Sequence, residues 1–437
     1  MKNNTVTIIG GGLAGSEAAY QLLKRGFKVV LYEMRPEVMT PAHKTDYLAE
    51  IVCSNSFGSS DPNTSGGVLK RELKLLDSLL LKIGEKSSIP AGHALAVDRE
   101  LFSKRITEEL EKFENLTITR KEITKIPFDS PVIIATGPLT SKELSFSLMK
   151  FTGRENLFFY DATSPIVEVS SINREIVFPA SRYDRGGEDY LNAPFTEEEY
   201  KRFYTELLNA EKVPLKEFEK HLFFEACLPI EELAARGERT LAFGPLKPIG
   251  LTDPRTGKMP HAVVQLRQDN LAAEHYQLVG FQTRLTWSEQ KRVFRLIPGL
   301  EKAEFVRYGV MHRNSYINAP LILNRFFQSK DIKDIFIVGQ LSGLEGYVEA
   351  IASGLYAGIM MAKHLNNEKL VAPPRSTALG ALGYYLENAN YKNFQPTKFV
   401  FGLLEPPGIK IKDKRDRRRY LSQKAAEQFD FWMKNFL

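Results

Sequence analysis

Cysteine is almost absent from this 437-residue chain: Cys53 and Cys227 are the full complement, and tryptophan is equally rare. Two thiols far apart, with no CxxC pair, exclude a disulfide scaffold and a cysteine-built zinc site. Long apolar runs are missing too. A membrane span needs about 18 uninterrupted apolar residues, and the nearest approach, 351–362, falls short. The first residues read straight into a strand and a glycine turn, without the charged and apolar stretches of a cleavable leader, so the expectation is a cytosolic protein with no membrane segment. An excess of one charge is also lacking: 59 basic and 53 acidic side chains leave +6, which cannot by itself establish nucleic-acid binding. Apolar residues at 43% and charged residues at 26% are ordinary soluble usage. At roughly 150 residues per domain, the length suggests two or three domains.

What is present begins at the N-terminus. Residues 5–9 are a short, uncharged, β-branched run, the mark of a parallel strand buried on both faces. Gly10, Gly11, Gly12, Leu13, Ala14 and Gly15 follow, then a helical stripe of small and apolar positions up to Gly26. A second strand over 28–32 ends at Glu33, 18 residues beyond Gly15. In such a unit the first glycine permits the tight turn, the second lets the backbone approach a pyrophosphate, and the third lets helix and strand pack closely. The helix N-terminus offers unpaired N–H groups to the phosphates, and an acid at the position of Glu33 accepts hydrogen bonds from a ribose.

The fingerprint alone does not choose between NAD and FAD. Two later segments favour FAD as the resident cofactor. Residues 132–135 form a strand that ends at Thr136 and Gly137, and 335–339 form another that ends at Gly339. A glycine-punctuated loop carrying Gly343, Gly346 and Tyr347 then opens an apolar helix over 348–362. A loop and helix start of this kind suit an isoalloxazine or its ribityl phosphate.

Between about 160 and 300 the texture changes. Residues 196–209 read as a Thr-capped helix with acids in its first turn. Residues 230–235 read as a second, acidic helix, and 262–267 and 276–282 as strands. One stretch is strongly basic: 410–419 holds seven cations, among them Lys414, Arg415, Arg417, Arg418 and Arg419, against two acids. It is either a solvated face or a handle on phosphates; Lys258 is a further candidate for phosphate contact. Arg284, Trp287 and the run His312, Arg313 and Asn314 are polar or stacking candidates. Each cysteine is open to two readings, a small buried hydrophobe or a reactive thiolate. Glu225, two residues from Cys227, opposes ionisation there.

These motifs together are distinctive. Gly10–Gly15 with Glu33-Met-Arg-Pro, Thr40-Pro-Ala-His, Ala49-Glu-Ile-Val-Cys53-Ser-Asn-Ser and Ala96-Val-Asp-Arg99 open the series. Ala135-Thr-Gly-Pro, Phe223-Phe-Glu-Ala-Cys227, Gly244-Pro-Leu-Lys-Pro, Val264-Gln-Leu-Arg267 and Arg307-Tyr-Gly-Val-Met-His-Arg-Asn314 continue it. The chain thereby resembles, nearly end to end, the FAD- and folate-dependent tRNA uracil-5 methyltransferases of bacteria. The resemblance implies an α/β fold: a Rossmann-like FAD-binding domain of the glutathione-reductase type over 1–160 and 301–437, with an inserted α+β substrate and RNA domain over 161–300. It implies transfer of a carbon from 5,10-methylenetetrahydrofolate to C5 of uridine 54 in the tRNA T loop, with electrons from reduced FAD that NAD(P)H restores. The family's two reactive cysteines map onto Cys53 and Cys227. Cys227 is the expected nucleophile at uracil C6 and Cys53 its partner, as base or as protection for the intermediate; the reverse assignment stays open. Rival readings are the same chemistry on ribosomal RNA, a plain NAD(P)H-dependent flavin oxidoreductase, an RNA-binding flavoprotein without chemistry, and the related flavoenzyme that modifies wobble uridines.

Overall fold

The computed structural model describes residues 4–153, 157–184, 187–214 and 228–437. Five short strands form a parallel sheet in the order Ile335–Ile337, Val132–Ile134, Thr5–Ile9, Lys28–Glu33, Leu116–Arg120. The three central strands of this order, Val132–Ile134, Thr5–Ile9 and the middle of Lys28–Glu33, are uncharged and mostly aliphatic, as suits a sheet buried on both faces. Ile8 sits between Leu31 and Ile133 in register, fully buried. One hydrophobic cluster runs from Val6 through Leu148 and resumes from Tyr316 to Trp432, so the two ends of the chain share a core.

Within that core the glycine-turn helix, Leu13–Leu23, lies directly against the apolar helix Tyr347–Leu365. The approach is too close for side chains: a Cβ on Gly358 would come 2.9 Å from the Ala18 carbonyl oxygen, and one on Gly354 would collide with that of Ala14. Small residues on one helix therefore bring its N-terminus beside the turn at Gly10–Gly15.

A second cluster, from Val167 to Ala303, is built on a six-stranded antiparallel sheet. Its order is Phe178–Pro179, Tyr190–Phe195, Ala262–Gln268, His275–Leu278, Ile166–Glu168, Phe305–Arg307. Helix Glu197–Asn209 packs on it, started by a capping box between Thr196 and Glu199. The antiparallel pair Leu157–Ala162 and Met311–Tyr316 carries the chain between the two clusters.

Three expected elements differ in extent. The strand expected over 276–282 is His275–Leu278, because Gly280 takes φ +79° and turns the chain. The strand expected to reach Gly339 stops at Ile337, and Gly339, at φ +71°, opens a 3-10 turn instead. The basic stretch enters a helix, Lys414–Phe436, whose N-cap Asp413 accepts from the N–H groups of Arg415 and Asp416. Leu421, Ala425, Phe429 and Trp432 bury one face of it. No helix among the described residues is long and apolar enough to cross a membrane.

Candidate active site

A cavity of about 410 Å³ opens at the C-terminal ends of the parallel strands, the crevice where ligands bind in open α/β sheets. Of the residues singled out from the sequence, Gly10, Gly12, Leu13, Ala14, Glu33, Cys53, Thr136, Gly137, Gly339, Gly346 and Tyr347 all line it. Gly11 and Gly15 do not, and the structure gives each another task. Gly11 donates its N–H to Glu33 Oε2 at 2.9 Å, and a Cβ on Gly15 would collide with the Gly10 carbonyl. Gly10 itself has φ +102°, and its missing Cβ would sit 2.6 Å from the Ala135 carbonyl oxygen. At Gly12, by contrast, a Cβ would meet no atom of the chain within 4 Å, so the backbone there faces open space. Around it the first N–H groups of helix Leu13–Leu23 have no intrahelical acceptor.

Glu33 lines the cavity beside this turn. Its Oε1 accepts from the N–H of Arg35 at 3.1 Å and from Arg35 Nε at 2.9 Å, while Arg35 Nη1 reaches Glu50 Oε2 at 2.9 Å. Burial pushes the Glu33 carboxyl up, but the Arg35 guanidinium and the two N–H donors outweigh it and hold the carboxyl below its usual value. An ionised acid on the wall is the acceptor a ribose diol needs. His43, on the same wall, is pushed down to about 4 by burial and by the Arg35 charge, so it is neutral at pH 7. The open backbone at Gly12, the helix N-terminus and the ionised Glu33 fit a dinucleotide such as FAD. Among the described residues no cluster of His, Cys, Asp and Glu could hold a metal ion.

Cys53 stands at the other end of the cavity, half-buried, where the two sheets meet. Its N–H donates to the Tyr347 hydroxyl at 2.8 Å. Its carbonyl accepts from Arg99 Nη2 at 2.9 Å and from Gln277 Nε2 at 3.1 Å, and its Sγ lies 3.9 Å from the Ala162 carbonyl oxygen. The parallel-sheet body thus grips it through the first residue of the Tyr347–Leu365 helix, and the antiparallel sheet through Gln277. Asn314 and Gln282 complete this end of the wall. Cys227, with Glu225 and the whole Phe223–Cys227 motif, lies outside the described residues.

The remaining candidates lie elsewhere. Lys414, Arg415, Arg417, Arg418 and Arg419 are exposed and do not line the cavity, and neither does the exposed Lys258. Arg284 is paired with Glu232 at 2.9 Å, and the exposed Trp287 stacks on Tyr308 with ring centroids 5.4 Å apart. Sequence reasoning assigned no role to Arg35, His43, Glu50, Arg99, Arg267 or Gln277. Arg35, His43, Arg99 and Arg267 stood within the motifs that carry the resemblance, whereas Gln277 carried no signal.

The model of the family described as Glucose inhibited division protein A matches residues 5–369. A methylenetetrahydrofolate–tRNA-(uracil-5-)-methyltransferase of Bacillus pumilus is 54% identical over 97% of each chain, and one of Bacillus subtilis is 53% identical over 98% of each. The chain belongs to this family. GidA of Aquifex aeolicus, at 16% identity, superposes with a TM-score of 0.69 over 97% of this chain and 76% of that one. The likeness shows that the Rossmann-like sheet and the second, antiparallel body form one established fold.

Proposed function

We propose that this protein methylates C5 of a uridine in tRNA, taking the carbon from 5,10-methylenetetrahydrofolate and using FAD as its redox cofactor. Family membership supports the reaction, and one observation in the structure carries the reading further. Cys53 opens onto the same cavity as the dinucleotide-binding glycines. A thiol and a flavin cradle in one cavity are what a reductive one-carbon transfer to a pyrimidine requires.

The target is read as uridine 54 of the T loop, and the restoring reductant as NAD(P)H, with the work done in the cytoplasm, where tRNA is modified. The chain is read as a flavin body over 1–160 and 301–437 that holds an inserted substrate body over 161–300. Gly10, Gly12, Leu13 and Ala14 are assigned to the pyrophosphate, Glu33 to the adenosine ribose, and Thr136, Gly137, Gly339, Gly346 and Tyr347 to the flavin end. When bound, the folate supplies the one-carbon unit and the flavin the reducing equivalents.

The side chains of this protein do the rest. C5 of uracil is a poor nucleophile until a thiolate adds to C6 and turns the ring into an enolate, splitting one hard step into two. Cys227 is assigned that addition. After C5 has gained its substituent, the C5 proton must leave, and Cys53 Sγ is assigned to accept it. The base must reach this wall unstacked, as in other enzymes that act on a nucleobase.

The test is transfer of labelled carbon from methylenetetrahydrofolate, assayed on tRNA and ribosomal RNA side by side. Label is expected in tRNA alone, with Cys53→Ala and Cys227→Ala each losing at least a hundredfold in rate. Label arriving from S-adenosylmethionine, or full activity in either variant, would overturn the scheme.

A further inference from the structure

Gln277 sits on strand His275–Leu278 and is 2% exposed. Tyr276 and Leu278 on either side of it belong to the hydrophobic cluster of the antiparallel sheet. Strand alternation therefore turns Gln277 to the opposite face, which looks at the Cys53 segment. Arg267 stands directly across from it on strand Ala262–Gln268 and shares that face.

The Gln277 carboxamide makes two hydrogen bonds of opposite sense. Its Oε1 accepts from Arg267 Nη2 at 2.6 Å, and its Nε2 donates to the Cys53 carbonyl oxygen at 3.1 Å. A guanidinium has donors only, so the oxygen end of the amide must face Arg267 and the NH2 end is left for Cys53. Arg267 Nη2 is steadied in turn by Ser54 Oγ at 3.0 Å. The same Cys53 carbonyl accepts from Arg99 Nη2 at 2.9 Å, which fills its second lone pair. Arg99 belongs to helix Arg99–Glu111 and is held through Nε by both Asp269 oxygens, at 2.8 and 2.9 Å.

On the other side of the Cα, the Cys53 N–H donates to the Tyr347 hydroxyl at 2.8 Å. Both peptide planes that flank Cys53 are thus held. A residue has only two soft backbone dihedrals, one toward each plane, so this grip fixes the direction in which the side chain leaves the backbone. Arg99 and Tyr347 are contributed by helices packed in the parallel-sheet core, whereas Gln277 is the antiparallel sheet's own hold on the cysteine.

We infer that Gln277 is a positioning residue for the methyl transfer: its carboxamide, oriented by Arg267, sets the Cys53 backbone and so keeps the thiol in place on the cavity wall. This assignment rests on Cys53 as a reacting group of the proposed reaction.

Two substitutions separate positioning from support. Gln277→Glu keeps the shape of the side chain. The carboxylate still accepts from Arg267 and gains a charge pair there, but its other oxygen meets the Cys53 carbonyl with no proton between them. Gln277→Met has similar length, carries no charge and makes neither bond. The experiment takes two readings on flavin-loaded, full-length protein: amide hydrogen exchange of the peptide 51–56 by mass spectrometry, and kcat and KM for labelled-carbon transfer to tRNA. Both variants are expected to exchange about tenfold or more faster over 51–56, the effect of one lost hydrogen bond. Both should lower kcat by about tenfold or more while KM for tRNA stays within about twofold, and Gln277→Glu should melt no lower than wild type.

A purely structural role would spare Gln277→Glu and would couple any loss of kcat to a lower Tm and released flavin. Wild-type kcat in Gln277→Glu, or unchanged exchange over 51–56, therefore overturns the inference. So does a loss confined to Gln277→Glu with Gln277→Met at the wild-type rate, which would trace the effect to the added charge. Should Gln277→Met fail to fold, the exchange and kcat of Gln277→Glu decide. Faster exchange in the variants of a protein whose wild type moves no carbon to RNA would leave the clamp standing and overturn the methyltransferase reading instead.

Discussion

Gly12 and Gly15 stand in one turn and answer to different constraints. At Gly15 the chain has no room: an added methyl would strike the Gly10 carbonyl, and the strand and helix would have to separate. Gly15→Ala is expected to cost about 1–3 kcal/mol of stability, the usual range for overpacking, measured by denaturant unfolding. At Gly12 the chain leaves space, and φ −73° suits alanine. Gly12→Ala is expected to cost under about 1 kcal/mol as an altered N-cap, yet to weaken flavin retention roughly tenfold, about 1.4 kcal/mol, read from the flavin-to-protein absorbance ratio. Equal effects from the two substitutions would refute the division. The roles of these glycines were legible because local chain geometry dictates them. The contacts of Arg267 were not, since besides Gln277 on the neighbouring strand its Nη2 meets Ser54 Oγ, 213 residues away in the chain.

Buried carboxylates tie the elements together. Glu17, on the first helix, accepts from the N–H groups of Leu79 and Leu80 at the start of helix Leu79–Lys86. Glu72, on helix Ser65–Leu75, does the same for Ala378 and Leu379 at 2.7 and 2.8 Å, 306 and 307 residues away. Burial raises the Glu72 carboxyl to about 8, against the two N–H donors that favour its charged form. Glu72→Ala would leave both donors buried and unpaired, at about 1–3 kcal/mol each. The expected result is a loss of about 2–6 kcal/mol in denaturant unfolding, with faster amide exchange at the start of helix Ala378–Asn388. An unchanged exchange rate there would refute the clamp. In sequence, Glu72 is one more charge in a Lys-Arg-Glu-Leu-Lys stretch. Periodicity revealed four of the five parallel strands and the two helices that meet at the glycine turn, but not strand Leu116–Arg120, and the Thr196 cap was visible for the same local reason. It was silent on the helix that Glu72 holds, because the partner groups are backbone N–H donors, which every residue but proline carries.

At the scale of the molecule, charge is separated from chemistry. Arg35 on the cavity wall is paired with Glu33 and Glu50, whereas the exposed run Lys414, Arg415, Arg417, Arg418 and Arg419 tops the last helix. Among the described residues Arg419 has one distant acidic partner, Asp416 at 3.8 Å. If this run grips tRNA phosphates, replacing Arg417, Arg418 and Arg419 with serine should lower the slope of log affinity against log salt by about 2–3, near 0.9 per released phosphate contact. Methyl transfer at saturating tRNA should be untouched. An unchanged slope would reduce the run to a solvated face.

The order of residues was sufficient to specify the nucleotide-binding turn, the acid at its far side and the strands around them, because hydrophobic period, glycine spacing and capping act over a few residues. Only the folded chain set Cys53 between two sheets and surrounded it with arginines from separate elements. Electrostatics acts through space, and no local pattern records which distant charges will be buried together.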